Sequence, residues 1–164
     1  LIGFMGTGKS VVGIDLQHRF GIEFVDTDAE IEASQALTIP EIFKQLGEPY
    51  FRKLESQFCL NLTQYYNTVI STGGGLILHD QNATRLAKAG TIFLLKASVD
   101  SIYNRIKKGL HKRPLLSDKD VKQSIETILK ERLPIYEKHA NHVIDTDNKS
   151  IQDVSQEIWS LYCE

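Results

Sequence analysis

Residues 3–10 constrain this chain more than any other segment, because they read Gly-x-x-x-x-Gly-Lys-Ser without a mismatch. Two apolar residues, Leu1 and Ile2, precede the segment, and a run that favours a helix, residues 11–20, follows it. Between a strand and a helix, such a loop turns backbone N–H groups toward a phosphate, and the helix dipole favours the negative charge. We therefore predict that the chain binds a nucleoside triphosphate. The residues expected at the triphosphate are Gly6, Thr7, Gly8, Lys9, Ser10 and Val11.

Length and composition describe one ordinary globular domain. The 164 residues are enough for one full core and too few for two independent domains. A net charge of −2 argues against a protein built to hold nucleic acid or an anionic membrane surface. No apolar run approaches the roughly 18 residues of a membrane helix, and no signal-peptide pattern is present. We expect a single cytoplasmic domain over residues 1–164, acting as a monomer without nucleic-acid or membrane partners.

The start and the cysteines add two smaller expectations. Leu1 and Ile2 are too short for a whole central strand and no initiating methionine precedes them, so we expect the sequence to be truncated, either by disorder or because it was cut from a longer polypeptide. Cys59 and Cys163 are too few, and show no spacing pattern, to suggest a disulfide framework or a zinc site.

Strand-like and helix-like segments alternate along the chain, which favours a parallel sheet with helices on both faces. We predict a doubly wound α/β fold with a five-stranded parallel sheet. Besides the first residues, the expected strands lie at 22–25, 68–72, 91–95 and 142–145. The expected helices lie at 11–20, in two or three pieces within 29–65, and at 82–89, 99–108, 119–138 (interrupted near Pro134) and 151–162.

Two aspartates follow the strand that comes after the first helix. The later strand that precedes residues 73–75 ends in Ser71-Thr72 and supplies no acid, so Asp26 becomes the candidate to support Mg²⁺ together with Ser10. Asp28, two residues on, could accept hydrogen bonds from the hydroxyls of a second substrate. Alternatively, the Asp-Thr-Asp run merely caps the next helix, with Asp28 as the N-cap. These residues alone favour the two interpretations equally.

Four of the six arginines and a triple glycine extend the pattern. Arg52 lies in a segment that reads as a turn followed by a helix, Arg105 and Arg113 bracket a basic loop, and Arg132 lies two residues before Pro134. The planar guanidinium suits bidentate recognition of carboxylate or phosphate. For any one of them taken alone, a solvated surface residue is the favoured interpretation, and it is their combination with the phosphate loop and the two aspartates that points to a site. Gly73, Gly74 and Gly75 follow a strand and indicate either a tight turn or a backbone that approaches a ligand closely; we favour the second.

Taken together, these motifs resemble those of the shikimate kinases, over essentially the whole chain. The matching segments are residues 3–10, Asp26-Thr27-Asp28, Gly47-Glu48-x-x-Phe51-Arg52-x-x-Glu55, Gly73–Gly75, Arg113-Pro114-Leu115-Leu116 and Arg132-x-x-x-Tyr136. After the first motif, the order and spacing of the set carry the resemblance rather than any single member.

The resemblance implies a fold like that of the nucleoside monophosphate kinases, with a substrate-binding helical segment at about 26–62 and a mobile lid at about 106–118. It implies that MgATP phosphorylates the 3-hydroxyl of shikimate, in the pathway to chorismate and the aromatic amino acids. The cofactors implied are ATP and Mg²⁺.

The resemblance also implies roles for single residues. Arg52 and Arg132 would bind the carboxylate of shikimate, while Asp28 and the three glycines would hold its hydroxyls. Lys9 and Arg113 would contact the transferring phosphoryl group, with Asp28 as the third catalytic residue. Arg105 would stack on adenine, beside a base pocket lined by residues 145–149. Phe43 and Phe51 either flank the substrate ring or belong to the core.

Two other functions stay open at this point. One is another small-metabolite kinase of the same fold, such as a gluconate kinase, which would not need Arg52 and Arg132 aimed at one carboxylate. The other is a non-catalytic nucleotide-binding domain, which would have no need of the full set of catalytic side chains.

Overall fold

Helices and short parallel strands alternate in the computed structural model, which describes residues 1–107 and 120–164. The helices are α1 (Lys9–Phe20), α2 (Thr27–Gln35), α3 (Ile39–Leu46), α4 (Glu48–Leu60), α5 (Asp80–Ala89), α6 (Val99–Ile106), α7 (Val121–His139) and α8 (Ile151–Cys163). The strands are β1 (Glu23–Asp26), β2 (Thr68–Ser71), β3 (Phe93–Lys96) and β4 (His142–Asp145). Single 3₁₀ turns lie at Leu62–Gln64 and Leu76–Leu78.

The strands form two parallel pairs, β1 with β2 and β3 with β4, and the first residues of the chain hydrogen bond to both pairs. The bonds are Leu1 N to Ile70 O (2.5 Å), Thr72 N to Leu1 O (3.0 Å), Ile2 N to Phe93 O (2.9 Å) and Leu95 N to Ile2 O (2.9 Å). Among residues 1–107 and 120–164, four strands are therefore formed where five were expected. Residues 1–2 are too short to count as a strand, although Ile2 makes a parallel bridge to Leu94.

Side chains of β3 enter two apolar clusters on opposite faces of the strands. Leu94 belongs to the larger cluster, with Phe4, Ile102 and Tyr136, whereas Phe93 and Leu95 belong to the cluster that α1 and α8 cover. Because successive side chains of a strand point to opposite faces, this division places helices on both sides, as predicted.

A third, smaller cluster lies within the three helices α2, α3 and α4. Its buried members are Ile31, Ile42, Phe51 and Leu54. Phe51 is only 4% exposed, so its ring contributes to this core, while Phe43 packs at the edge of the cluster with its ring centroid 5.2 Å from that of Phe51.

Helices α1 and α8 pack against each other through an aromatic stack. The rings of Phe20 and Trp159 are nearly parallel, with centroids 4.4 Å apart and an interplanar angle of 5°. Beside them, Arg19 donates hydrogen bonds to the Gln152 carbonyl (2.7 Å) and to the Gln156 side chain (2.8 Å). The C-terminal end of α1 is thus fixed to α8.

The expected interruption near Pro134 was wrong, because α7 runs without a break through that residue. Proline removes one helical hydrogen bond and favours a kink. On both sides of it, however, Leu129, Leu133 and Tyr136 pack against the larger apolar cluster, and this burial holds the helix together. Within the described residues, no helix is both long and apolar enough to cross a membrane.

The contact between α1 and β1 provides a test of the packing. A Cβ atom on Gly13 of α1 would overlap the ring of Phe24 in β1. Alanine favours a helix by up to about 1 kcal/mol over glycine, but overpacking costs typically about 1–3 kcal/mol. We expect Gly13→Ala to lower the free energy of unfolding in urea, and Phe24→Leu in the same background to restore part of it.

The matched control is Gly90→Ala, where no described atom lies within 4 Å of the new methyl group. Equal unfolding free energies for Gly13→Ala and Gly90→Ala would contradict this account of the contact.

Candidate active site

The loop of residues 3–8 wraps around the side chain of Lys9 at the start of α1. Gly3, Gly6 and Gly8 have φ angles of 137°, 77° and 99°, which only glycine adopts without strain. Lys9 Nζ donates to the carbonyls of Gly3 and Phe4, both at 2.9 Å, and Thr7 Oγ1 also donates to the Phe4 carbonyl at 2.8 Å. The loop and the N-terminal end of α1 thus meet at one place, where the helix dipole favours an anion.

Ser10 and Asp26 meet beside this loop. Ser10 Oγ donates to Asp26 Oδ2 at 2.6 Å. The other oxygen, Oδ1, accepts from the N–H groups of Asp28 (3.0 Å) and Ala29 (3.4 Å), so Asp26 is the N-cap of α2. The alternative in which the Asp-Thr-Asp run caps the next helix is thus correct for the run but wrong for the residue, because the helix begins at Thr27 and Asp26, not Asp28, is the cap.

The same pair is a suitable set of ligands for Mg²⁺. A hydroxyl and a carboxylate are hard oxygen donors, and Mg²⁺ is commonly held by one or two such groups together with water and substrate phosphate. No group of three or more His, Cys, Asp or Glu side chains that could hold a metal occurs among residues 1–107 and 120–164. The chemistry of the donors thus fits Mg²⁺ bound jointly with a nucleotide.

Asp28 and Glu55 face each other across Gly73. A Cβ atom on Gly73 would lie 2.5 Å from Asp28 Oδ1 and 3.1 Å from Glu55 Oε1, so only glycine fits there. Both oxygens are buried and have no hydrogen-bond partner in the described part of the chain. The Gly73 N–H donates to Thr27 Oγ1 at 2.9 Å, which fixes the glycine against α2.

Burial makes both carboxyl groups unusually weak acids. Burial and then the neighbouring charge of Asp26 raise the pKa of Asp28 to about 6. Burial raises the pKa of Glu55 to about 7; Arg52 and Arg132 oppose this shift, and Asp28 adds to it. Titratable groups shifted this far are typical of functional sites.

Arg52 of α4 is held from two sides by glutamates. Its Nη1 donates to Glu55 Oε2 at 2.8 Å, and its Nε and Nη2 donate to Glu48 Oε1 at 3.1 and 2.7 Å. A Cβ atom on Gly75 would overlap the guanidinium, so the arginine lies directly against the glycine backbone. With a side chain 16% exposed, Arg52 is oriented in advance rather than free in solvent.

Tyr136 connects α7 to the same glycines. Its hydroxyl donates to the Gly74 carbonyl at 2.6 Å, and the residue is fully buried. Burial raises the pKa of the Tyr136 hydroxyl, and the adjacent Arg132 opposes the shift. Arg132 therefore lies within electrostatic reach of both Tyr136 and Glu55.

Most of the predicted site residues come together around one cleft of about 290 Å³. Those that line it are Gly6, Gly8, Lys9, Ser10, Val11, Asp26, Asp28, Gly73 and Gly74. Thr7 turns its side chain inward to the loop, and Arg52 lies behind Gly75. Arg113, and residues 108–118 of the expected lid, lie outside the described residues.

Arg105 makes contacts that the sequence did not predict. Its guanidinium donates to Thr146 Oγ1 and the Thr146 carbonyl, both at 2.9 Å, and to the Gly6 carbonyl at 3.3 Å. The bonds link α6 to the phosphate loop and to the segment after β4.

Glu55, Thr27 and Tyr136 received no individual role from the sequence. A signal for Glu55 was present, because it follows Arg52 by three residues on a helix, a spacing at which opposite charges meet. The contacts of Thr27 and Tyr136 with Gly73 and Gly74 join residues 46 and 62 positions apart, which no local pattern reports.

The raised pKa of Glu55 has a consequence for stability. Between its ordinary value of 4.5 and about 7, the folded protein keeps a proton on Glu55 that the unfolded chain releases. The contribution of this group to the free energy of unfolding therefore falls as the pH rises through that window. We expect Glu55→Gln to remove this contribution, so that the variant gains stability relative to the parent between pH 4.5 and 7 in urea titrations.

The matched control is Glu126→Gln, at an exposed position of α7. Parallel curves of unfolding free energy against pH for the parent and Glu55→Gln would contradict the assignment.

Comparison with known proteins gives one consistent family. A family model described as shikimate kinase matches residues 5–162. The shikimate kinase of Thermodesulfovibrio yellowstonii is 41% identical over 162 residues, which cover 99% of this chain and 92% of that protein. The shikimate kinase of Caldanaerobacter subterraneus is 40% identical over 162 residues, covering 99% and 94%.

Solved structures agree with the sequence comparison. A shikimate kinase from Acinetobacter baumannii, in complex with shikimate, superposes with a TM-score of 0.92 at 36% identity, covering 98% of this chain and 89% of that one. A gluconokinase from Sinorhizobium meliloti superposes with a TM-score of 0.53 at 15% identity, a likeness that extends to the fold alone.

Proposed function

The chain belongs to the shikimate kinase family, and from this premise we propose how its residues share the work of phosphoryl transfer. It is a phosphotransferase that uses ATP to phosphorylate the 3-hydroxyl of shikimate, giving shikimate 3-phosphate and ADP, in the pathway to chorismate and the aromatic amino acids. One observation carries the proposal most directly: Lys9 of the phosphate loop and Asp28 of α2 line the same cleft.

Shikimate would bind between α4, α7 and the triple glycine. Arg52 and Arg132 would bind its carboxylate, while Asp28 and the backbone of Gly73–Gly75 would hold its hydroxyls. The bonds from Arg52 to Glu48 and Glu55 support this role, because they orient the planar guanidinium before the substrate arrives. The unpartnered Oδ1 of Asp28 supports the role of this residue in holding a hydroxyl, because a substrate hydroxyl would supply the missing donor.

The phosphates of ATP would lie on the loop and the start of α1. Lys9 would exchange its bonds with the Gly3 and Phe4 carbonyls for phosphate oxygens and stabilise the charge of the transferring group. By the family resemblance, Arg113 would assist from the lid. Arg105, with its bonds in the plane of the guanidinium, would offer a face to adenine, beside residues 145–149.

In the transfer itself, the 3-hydroxyl oxygen forms a bond to the γ-phosphorus as the bond from that phosphorus to the bridging oxygen of ADP breaks. The proton of the hydroxyl passes to Asp28, whose pKa of about 6 leaves it mostly ionised at neutral pH yet more basic than an ordinary aspartate. Positioning by the two arginines brings the nucleophile in line, which is the main demand of phosphoryl transfer.

Ser10 and Asp26 would hold Mg²⁺, which neutralises charge on the β- and γ-phosphates when bound. The 2.6 Å hydrogen bond from Ser10 Oγ to Asp26 Oδ2 supports this role, since it already places the two ligand oxygens side by side in the cleft next to the phosphate loop.

We also infer the finer architecture from the same premise. Residues 1–2 would act as the central member of a five-stranded sheet, supported by their backbone bonds to β2 and β3. The segment 26–62 would serve as the substrate-binding part and, by the family resemblance, 106–118 as the lid. The chain would work as a single monomeric domain in the cytoplasm.

The acceptor assay tests the function. We expect shikimate to stimulate ADP production strongly, with gluconate and AMP close to the background rate. Lys9→Ala and Asp28→Asn should lower the shikimate-dependent rate by two orders of magnitude or more, because they remove transition-state charge and the proton acceptor. ADP release that is equal with and without shikimate would refute the assignment, and stimulation by gluconate instead would point to the alternative kinase.

A second variant tests the carboxylate site. Arg52→Lys keeps the charge but loses the planar fork, so we expect the KM for shikimate to rise about tenfold or more with little change in the KM for ATP. Arg85→Lys, a partly exposed arginine on α5, is the control. An equal rise in both KM values would remove Arg52 from the carboxylate site.

A further inference from the structure

Arg105 occupies a junction between three parts of the chain. It lies on the last turn of α6, and its guanidinium bonds to Gly6 in the phosphate loop and to Thr146 just after β4. Thr146 is in turn fixed: it is 4% exposed, and both its backbone N–H and its Oγ1 donate to the Lys96 carbonyl at 2.9 Å. The guanidinium therefore connects Gly6 to a rigid point at the end of β3.

Gly6 of the phosphate loop also packs directly against α6. A Cβ atom on Gly6 would lie 2.6 Å from Ile106 Cγ2 and 3.4 Å from the Ile102 carbonyl. Gly6 thus lies in direct contact with α6, and Arg105 holds the Gly6 carbonyl on the side that faces this helix.

We propose that Arg105 is a positioning residue for the phosphate loop, which orients the Gly6–Thr7 peptide and thereby strengthens binding of the triphosphate itself. This rests on the proposed function and goes beyond it, since a stacking role alone would concern only the base.

Peptide geometry couples the Gly6 carbonyl to the N–H group of Thr7. A trans peptide is planar, so a carbonyl held on one side points the N–H of the next residue to the other side. With the Gly6 carbonyl bound to Arg105, the Thr7 N–H faces the interior of the loop, where it donates to Phe4 O at a long 3.4 Å. A phosphate oxygen can compete for such a donor, and an oriented N–H loses less entropy on binding than a mobile one.

Two pairs of variants separate this role from stacking. Arg105→Gln removes the charged donor to Gly6, whereas Arg105→Lys keeps a charge that can reach one acceptor only. Thr146→Val removes the hydroxyl that accepts from Arg105, and Thr146→Ser retains it. The matched control is Arg19→Gln. Arg19 lies at the end of α1 opposite to the phosphate loop, and it also donates to a carbonyl and to a side chain of another element, in this case α8.

The deciding ligand is inorganic tripolyphosphate with Mg²⁺, which has the phosphates of ATP and no base. Its dissociation constant, measured by calorimetry, needs no turnover. We expect Arg105→Gln to raise it on the order of five- to tenfold, because a charge-assisted hydrogen bond that orders the loop is lost. Thr146→Val should raise it less, while Thr146→Ser and Arg19→Gln should stay within twofold of the parent.

Kinetics give the second measurement. Arg105→Gln should raise the KM for ATP with the KM for shikimate and the melting temperature little changed; should the variant unfold, Arg105→Lys, with an intermediate tripolyphosphate affinity, takes its place. A variant that weakens ATP but binds tripolyphosphate like the parent would overturn the proposal and leave stacking alone. A parent that does not bind tripolyphosphate would overturn it as well. Absence of shikimate-dependent ADP production would refute the proposed function separately, since the calorimetric result stands without it.

Discussion

The backbone hydrogen bonds of Leu1 and Ile2 are the interaction on which the rest of the structure depends. They join the pair β1–β2 to the pair β3–β4, and within the described residues no strand of one pair is hydrogen bonded to a strand of the other. The phosphate loop starts directly after Ile2. The loop consequently lies between the carboxyl ends of β2 and β3. Asp26 at the end of β1 and Gly73 just beyond β2 come to the same edge, where ligands of open parallel sheets bind.

The sequence predicted the parts of this arrangement that depend on local patterns. The loop, the alternating elements and the pairing of Ser10 with Asp26 followed from motif spacing, and the structure has the loop, the elements and that contact. Local patterns failed where tertiary packing decides the outcome. The helix continues through Pro134 because Leu129, Leu133 and Tyr136 pack against the larger apolar cluster, and Asp26 rather than Asp28 caps α2 because the helix begins at Thr27, directly after β1.

In the candidate site too, some features could be predicted from local sequence and others could not. The glycines, arginines and aspartates of the site could be predicted, because their spacing along the sequence forms recognisable motifs. Their mutual supports could not: Glu55 holding Arg52, Tyr136 holding Gly74 and Arg105 holding Gly6 depend on distances across the fold. Beside Gly73, Asp28 and Glu55 each bury one carboxyl oxygen that has no hydrogen-bond partner in the described part of the chain, and such a local conflict is expected where a ligand supplies the missing donors.

The aromatic stack between α1 and α8 gives the chain a natural optical reporter. Trp159 is its one tryptophan, and the ring of Phe20 lies flat against it at the far end of the helix that begins at Lys9. An α-helix transmits a displacement along its axis, and the twelve residues of α1 span about 17 Å between their first and last Cα atoms. The indole therefore lies at the end of α1 farthest from the phosphate loop, and its emission reports, without any label, whether α1 stays packed on α8.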